Sequence, residues 1–285
     1  MKKAVIIILA VLICAGPSFA MGREIQRIIS LSPSITEILY ELGLEDKVVG
    51  VTDYCIVPDD DAGKSRIGCV LGANYEKILL LDPDLIIIPA GYDYELVDLF
   101  KESGIDYLNV STDTIDGILR SIRQIGERTG QGSRAQVLTE SIQARLDEAK
   151  RRATGRPFKK IMIVVEREEG SFDNMCIAGR NTFYDEILEI LGAANICGEG
   201  GVSYPVISSE AVLRLEPDII IEILPYLADN KIDTRRKEWG ILSRVKAVSD
   251  GNVHIFNQEY ACIPGPSFVK LLEDLEKVIE GDVSP

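Results

Sequence analysis

One histidine and one tryptophan in 285 residues remove several classes of protein at once. A bare Zn²⁺ or Mn²⁺ site built on several histidines is disfavoured. A Ser/His/Asp hydrolase would have to use His254, and the chain has no G-x-S-x-G elbow to present a serine. Basic residues are short as well: 31 Lys and Arg stand against 45 Asp and Glu, a formal charge of −14. Neither a nucleic acid nor an anionic lipid surface is therefore an expected partner. No P-loop occurs, so ATP hydrolysis by this chain is not expected. The glycines of Cys197 to Val202 follow a helical segment rather than a strand, a poor setting for a dinucleotide loop. The acidic run Asp59-Asp60-Asp61 lacks the Gly and distal Glu of an EF-hand and reads as a solvated loop. No catalytic residue, cofactor or metal site is expected, and a two-domain α/β enzyme is the disfavoured alternative.

Long hydrophobic runs are also missing. The longest, Ala4 to Ala15, falls short of the ~20 residues that span a bilayer. Lys2 and Lys3 precede it and Pro17-Ser18-Phe19-Ala20 follows, the pattern of a cleaved secretory signal peptide over residues 1–20. Leu12-Ile13 before Cys14 is a poor lipid-attachment signal, because bulky Ile sits where a small residue is expected. The sequence leaves anchoring at Cys14 open. Export places Cys55, Cys69, Cys176, Cys197 and Cys262 in an oxidising compartment, where an odd count leaves at least one thiol free. No CxxC pair is present, and disulfide connectivity stays open.

What is present is an alternation of β and α signals. Ile28 to Leu31 reads as a buried strand, and Ser34-Ile35-Thr36-Glu37 as a capping box opening a helix that stops at Gly43. Strands are expected at Val48–Thr52, Asp84–Pro89, Tyr107–Ser111, Ile161–Val165 and Val253–Phe256. Helices are expected at Glu76–Leu81, Glu95–Ser103, Thr114–Thr129, Asn181–Leu191 and Ser267–Ile279. The expected fold class is α/β, with mostly parallel sheets covered on both faces. Between Ser133 and Arg152 the alternation gives way to one amphipathic helix, with Ala135, Leu138, Ile142, Leu146 and Ala149 on one face. The chain thus divides into an N-terminal lobe (23–130), a bridging helix (131–154) and a C-terminal lobe (155–285), with no flexible linker between them.

One stretch occurs twice. "YEKILLLDPDLIII" (Tyr75 to Ile88) returns as "SEAVLRLEPDIIIE" (Ser209 to Glu222), displaced by 134 positions. Each copy reads as helix, proline break and buried strand, which implies pseudo-symmetric lobes. Each begins with a glutamate, Glu76 and Glu210, in the first helical turn, where a carboxylate also meets the helix dipole favourably.

"RIISLSPSITEILYELGLEDKVVGVTDYC", the two duplicated stretches, the spanning helix, "AGRNTFYDEILEILGAANI" and "PGP" (Pro264 to Pro266) together resemble the class III periplasmic substrate-binding proteins of ABC importers. That family delivers vitamin B12, ferric siderophores and haem. The resemblance implies two lobes bridged by a rigid helix, with the ligand in the cleft between them. It also implies a periplasmic or otherwise extracytoplasmic monomer that hands a metal chelate to a permease dimer with its ATPase subunits. It gives Glu76 and Glu210 the role of docking to arginines on the two permease subunits, beside the plainer role of helix capping. A chelate-sensing receptor on the same fold is a further alternative. Cys69 stands where cobalamin binders often carry an aromatic, and Ser267 where a basic residue often follows "PGP". Both departures weigh against vitamin B12 itself.

Ligand contacts in such a fold come from loops after strands. Those loops supply Pro33, Ser34, Tyr54, Tyr92, Tyr94, Arg167, Tyr204, Tyr226 and Tyr260 as candidate ligand-binding residues. Tyrosine offers an apolar face with a polar tip, suited to a large amphipathic chelate. Two or three of the six tyrosines are expected to be half-buried surface residues instead. Arg167 suits a ligand carboxylate or phosphate, or else is a solvated loop arginine. His254 reads as a structural strand histidine.

Overall fold

The computed structural model describes residues 24–58, 63–69, 72–91, 94–198 and 201–282. The leader 1–20, the acidic run at 59–61 and Tyr92 lie outside them. In the N-terminal lobe, five strands form one wholly parallel sheet: β1 (Ile28–Ser30), β2 (Val48–Val51), β3 (Ser65–Arg66), β4 (Leu85–Pro89) and β5 (Tyr107–Val110). Their order is β3-β2-β1-β4-β5. Its helices are α1 (Pro33–Glu41), α2 (Tyr75–Leu80), α3 (Tyr94–Glu102) and α4 (Ile115–Arg128).

Helix α1 begins two residues earlier than its sequence suggests. Ser32 is the N-cap, its hydroxyl accepting from Ser34 N–H, and Pro33 fills the first turn, where its missing donor costs nothing. The capping box expected at Ser34 to Glu37 does not form. Glu37 instead reaches into the other lobe and accepts from Ser267 N–H at 2.6 Å.

The 22-residue helix α5 (Gly132–Ala153) follows, about 33 Å long at the standard rise. Ala135, Thr139, Ile142, Leu146, Ala149 and Ala153 are its buried stripe. It packs first along α4, where Gly126 admits the Ala135 methyl to a distance that no side chain at 126 would allow.

The C-terminal lobe holds β6 (Lys160–Glu166), β7 (Met175–Ile177), β8 (Ala194–Asn195), β9 (Val206–Ile207), β10 (Ile219–Ile223) and β11 (Val253–Phe256). With them are α6 (Phe183–Ile190), α7 (Ser209–Leu215), α8 (Asp229–Glu238), α9 (Lys246–Ser249) and α10 (Phe268–Glu280). The sheet order is β11-β10-β6-β7-β9, with β8 beside β6. Here the structure departs from the wholly parallel pattern: β7 pairs antiparallel with both β6 and β9.

The duplicated stretch has the same construction in both lobes. Asn74 and Ser208 cap α2 and α7 through their side chains. Each helix ends at a left-handed residue before the proline, Asp82 (φ 42°) and Glu216 (φ 49°). The following aspartate anchors the neighbouring strand: Asp84 accepts from Gln26 and Arg27 N–H, and Asp218 from Lys160 N–H. Arg27 and Lys160 then donate to the last carbonyls of those helices, Leu81 O and Leu215 O, a favourable place for a cation.

One apolar core runs through both lobes. Ile28, Ile38 and Ile122 on one side join Leu146, Ile161, Ile187, Phe268 and Leu272 on the other without a break. Burying each of these side chains contributes about 1.5–3 kcal/mol over leaving it exposed. Two smaller cores fill the outer faces of the sheets, one around Phe100 and one around Trp239. Among the described residues, no helix is long and apolar enough to cross a membrane.

Candidate functional site

The carboxyl ends of the two sheets face a common cavity of about 590 Å³. From the N-terminal lobe it receives the β1–α1 turn (Leu31 to Ser34), Thr52 and Tyr54 after β2, and Cys69. Pro89 and Ala90 at the end of β4, and Thr112 and Asp113 after β5, complete that wall. From the C-terminal lobe come Pro225 and Tyr226 after β10, and Cys262 to Pro264 before α10. Among the described lining residues Asp113 is the one carboxylate and none is basic.

The hydroxyls in this wall satisfy one another. Ser32 Oγ lies 2.8 Å from Ser34 Oγ, which lies 3.3 Å from Thr112 Oγ1. Above them Tyr54 and Tyr226, one from each lobe, are 70% and 65% exposed. Such exposure of large aromatics leaves their faces free for a ligand. Tyr226 adopts φ 73°, a conformation that costs an ordinary side chain free energy and recurs at ligand-binding sites. Burial, with Glu259 and Cys262 nearby, pushes its phenol up, so it stays protonated at neutral pH and can donate a hydrogen bond.

Of the residues singled out in the sequence, Pro33, Ser34, Tyr54 and Tyr226 meet in this cavity. Tyr94 opens α3 and only its backbone is described. Tyr204 is exposed but is not among the lining residues. Tyr260 belongs to an adjoining hollow with Glu37 and Lys270, where its hydroxyl donates to Asp274. Burial, and then that acceptor, raise its pKa.

Arg167 lies apart from this cavity. Its side chain is 0% exposed and its guanidinium is turned into the lobe, donating to Glu222 Oε1 at 3.0 Å and Oε2 at 3.2 Å. Arg235 and the Trp239 indole donate to the same carboxylate, and Glu238 accepts from both arginines. Arg167 therefore holds a buried ion cluster below a second hollow and does not line the main cavity. His254 is buried in β11, with its pKa lowered by burial and by Arg236.

Sequence reasoning missed Thr52, Thr112, Asp113, Pro225 and Ile263. Thr112-Asp113 directly follows a strand, the same signal that found Tyr54. All five cysteines among the described residues are free thiols, Cys69 and Cys262 facing the cavity. No cluster of three or more His, Cys, Asp or Glu able to hold a metal ion occurs among the described residues.

Comparison with known proteins gives one consistent pattern. Residues 28–254 match the family described as periplasmic binding protein. The chain is 30% identical over 210 residues to a vitamin B12-binding protein of Vibrio campbellii, covering 73% of this chain and 74% of that one. It is 28% identical over 267 residues to an uncharacterized ABC transporter substrate-binding lipoprotein, YvrC, of Bacillus subtilis, covering 91% and 82%. Among solved structures it resembles the periplasmic vitamin B12-binding protein BtuF of Vibrio cholerae, with a TM-score of 0.77 at 24% identity, covering 90% and 97% of the two chains.

Proposed function

The chain belongs to the periplasmic binding protein family, and from that premise we propose that it is the extracytoplasmic substrate-binding component of an ABC importer that captures a metal chelate without net negative charge. One observation carries the ligand class. The interlobe cavity offers tyrosine faces, hydroxyls and one carboxylate, and none of its described lining residues is basic. Haem with its two carboxylates, or a catecholate siderophore, would enter with charges left unpaired, which is costly in a partly desolvated site. A corrinoid, whose periphery is amide-rich and whose net charge is zero or positive, fits the same walls. An uncharged ferric hydroxamate siderophore shares that chemistry and is the second reading. The lobe boundaries given above, 23–130, 131–154 and 155–285, belong to this reading.

The test is an absorbance titration of purified protein with cobinamide, cyanocobalamin, a ferric hydroxamate, a ferric catecholate and hemin. Saturable binding to at least one of the first three, and not to the catecholate or hemin, is expected. Selective binding of hemin or the catecholate would overturn the ligand class, and binding of none would overturn the chelate reading.

For the membrane partner we propose Glu76 and Glu210 as paired contacts with cationic residues on a twofold permease. Both are exposed on equivalent helices. The side-chain N-cap acceptors there are Asn74 and Ser208, while the Glu210 carboxylate also accepts from its own backbone N–H. A Glu76→Ala/Glu210→Ala protein should keep its ligand affinity and fail in transport. Unimpaired transport would return both to a purely local role.

A further inference from the structure

Helices α10 and α4 begin at the lobe interface, and each receives a carboxylate from the opposite lobe. Helix α10 has no side-chain N-cap and no acidic residue in its first turn. Its N-cap N–H, that of Ser267, donates 2.6 Å to Glu37 Oε1 of α1. Helix α4 has Thr114 as N-cap, serving Gly117 N–H, and its first N–H, that of Ile115, donates to Glu186 Oε2 of α6. Beside it Phe183 N–H donates to Asp113 O at 2.6 Å. A helix N-terminus leaves N–H groups unpaired and favours a negative charge. Ordinarily the chain supplies the acceptor locally, within one turn. Here it arrives from the other lobe, so each bond exists only at the observed lobe spacing.

Residues of both contacts adjoin the cavity walls in the chain. Pro33 and Ser34 line it one turn ahead of Glu37. Ile263 and Pro264 line it just before Ser267, and Thr112 and Asp113 just before Ile115. Glu37 is pressed close: its Oε2 is buried without a partner, and a side chain at Gly265 would overlap that oxygen. We propose that Glu37 and Glu186 are reciprocal positioning residues that set the width of the ligand cleft, each capping from one lobe the first turn of a helix in the other. The proposal rests on the cavity being the ligand site. A hydrogen bond to a carboxylate is lost within about 1 Å of separation. A lobe pair freed of it spends part of its time at spacings that cannot bind, and apparent affinity falls by that fraction.

The experiment compares Glu37→Ala, Glu186→Ala, their double variant, and Glu37→Gln, whose amide oxygen still accepts from Ser267. Three readouts are taken: amide hydrogen exchange at Ser267 and Ile115, small-angle scattering of the ligand-free protein, and affinity for cobinamide. Each alanine should speed exchange at its own partner amide and weaken cobinamide binding about tenfold, the size of one lost cap. The double variant should lose about a hundredfold and scatter as a more open particle, while Glu37→Gln stays near wild type. Folded alanine variants with wild-type scattering and affinity would overturn the proposal. If alanine prevents folding, Glu37→Asp shortens the reach by one methylene, and wild-type affinity and exchange in that variant would overturn it equally. Should wild type bind no chelate, the ligand reading fails on its own, and exchange and scattering still decide the clamp.

Discussion

Replacing Arg167 with alanine separates a ligand contact from a structural charge. The side chain is wholly buried, with Glu222 at 3.0 Å and Glu238 at 2.9 Å. Its guanidinium also lies 4.4 Å from the centre of the Phe172 ring and 5.3 Å from that of Trp239. Removing it takes one of three donor groups from Glu222 and leaves Arg235 and the indole in place. Breaking a buried pair costs about 3–5 kcal/mol, and the surviving donors hold the loss toward the lower end. Against a total stability of about 5–15 kcal/mol this is large, and for a protein of this size it lowers the melting temperature by roughly 6–20 °C. Thermal melts and the chelate titration, run on the same preparation, read both quantities. Lowered stability with unchanged affinity is expected. Unchanged stability with weakened binding would refute the reasoning and make Arg167 the ligand contact that its place after β6 suggests. Arg167→Lys should fall between, because an ammonium cannot present the fork that meets both oxygens of Glu222.

Two carboxylates predict opposite pH behaviour. Burial raises the pKa of Glu37 above its ordinary 4.5, with Glu41 adding to the shift and Ser267 and Lys270 opposing it. Its contribution is complete below 4.5 and is lost as pH rises through the raised value, so Glu37→Gln should be the more stable protein at neutral pH and lack that slope in urea melts. Glu276 is held below 4.5, chiefly by its hydrogen bonds to Arg152 and with help from Arg156. Its contribution is present above 4.5 and is lost as pH falls through the lowered value. Glu276→Gln should therefore be less stable at neutral pH and resist further acid loss, and an equal acid slope in both proteins would contradict this.

Much of the fold was legible because hydrophobic periodicity reports burial directly. The stripe from Ala135 to Ala149 gave α5, and the apolar runs gave the central strands of both sheets. Strands β7 and β9, of three and two residues, are too short to show a period, and their antiparallel pairing depends on partners far away in sequence. The site was half legible for a similar reason. Position after a strand places Pro33, Ser34, Tyr54 and Tyr226 in one cavity, since sheet topology decides which loops converge. Side-chain direction does not follow from that rule. Arg167 turns inward because Glu222, 55 positions later, offers it a buried carboxylate. Glu37 likewise matched a local capping pattern, yet Ser32 already serves α1 and the stronger donor comes from α10.

The duplicated stretch shows how far folding alone accounts for a repeated residue. The left-handed Asp82 and Glu216 let the chain leave a helix before proline, and Asp84 and Asp218 bind the backbone of the adjoining strand. Ile78 and Val212 are fully buried under their helices. Each of these repeats has a partner within its own lobe that would be lost on substitution. Glu76 and Glu210 stand apart, because both are exposed and Asn74 and Ser208 hold the N-caps. Glu210 does interact with the Ser208 hydroxyl, which holds its carboxyl below the usual range. A contact so exposed contributes little to stability. Symmetry of the fold explains why the two positions are equivalent, the helix dipole favours an acid at each, and a twofold partner with basic residues would give both a further role.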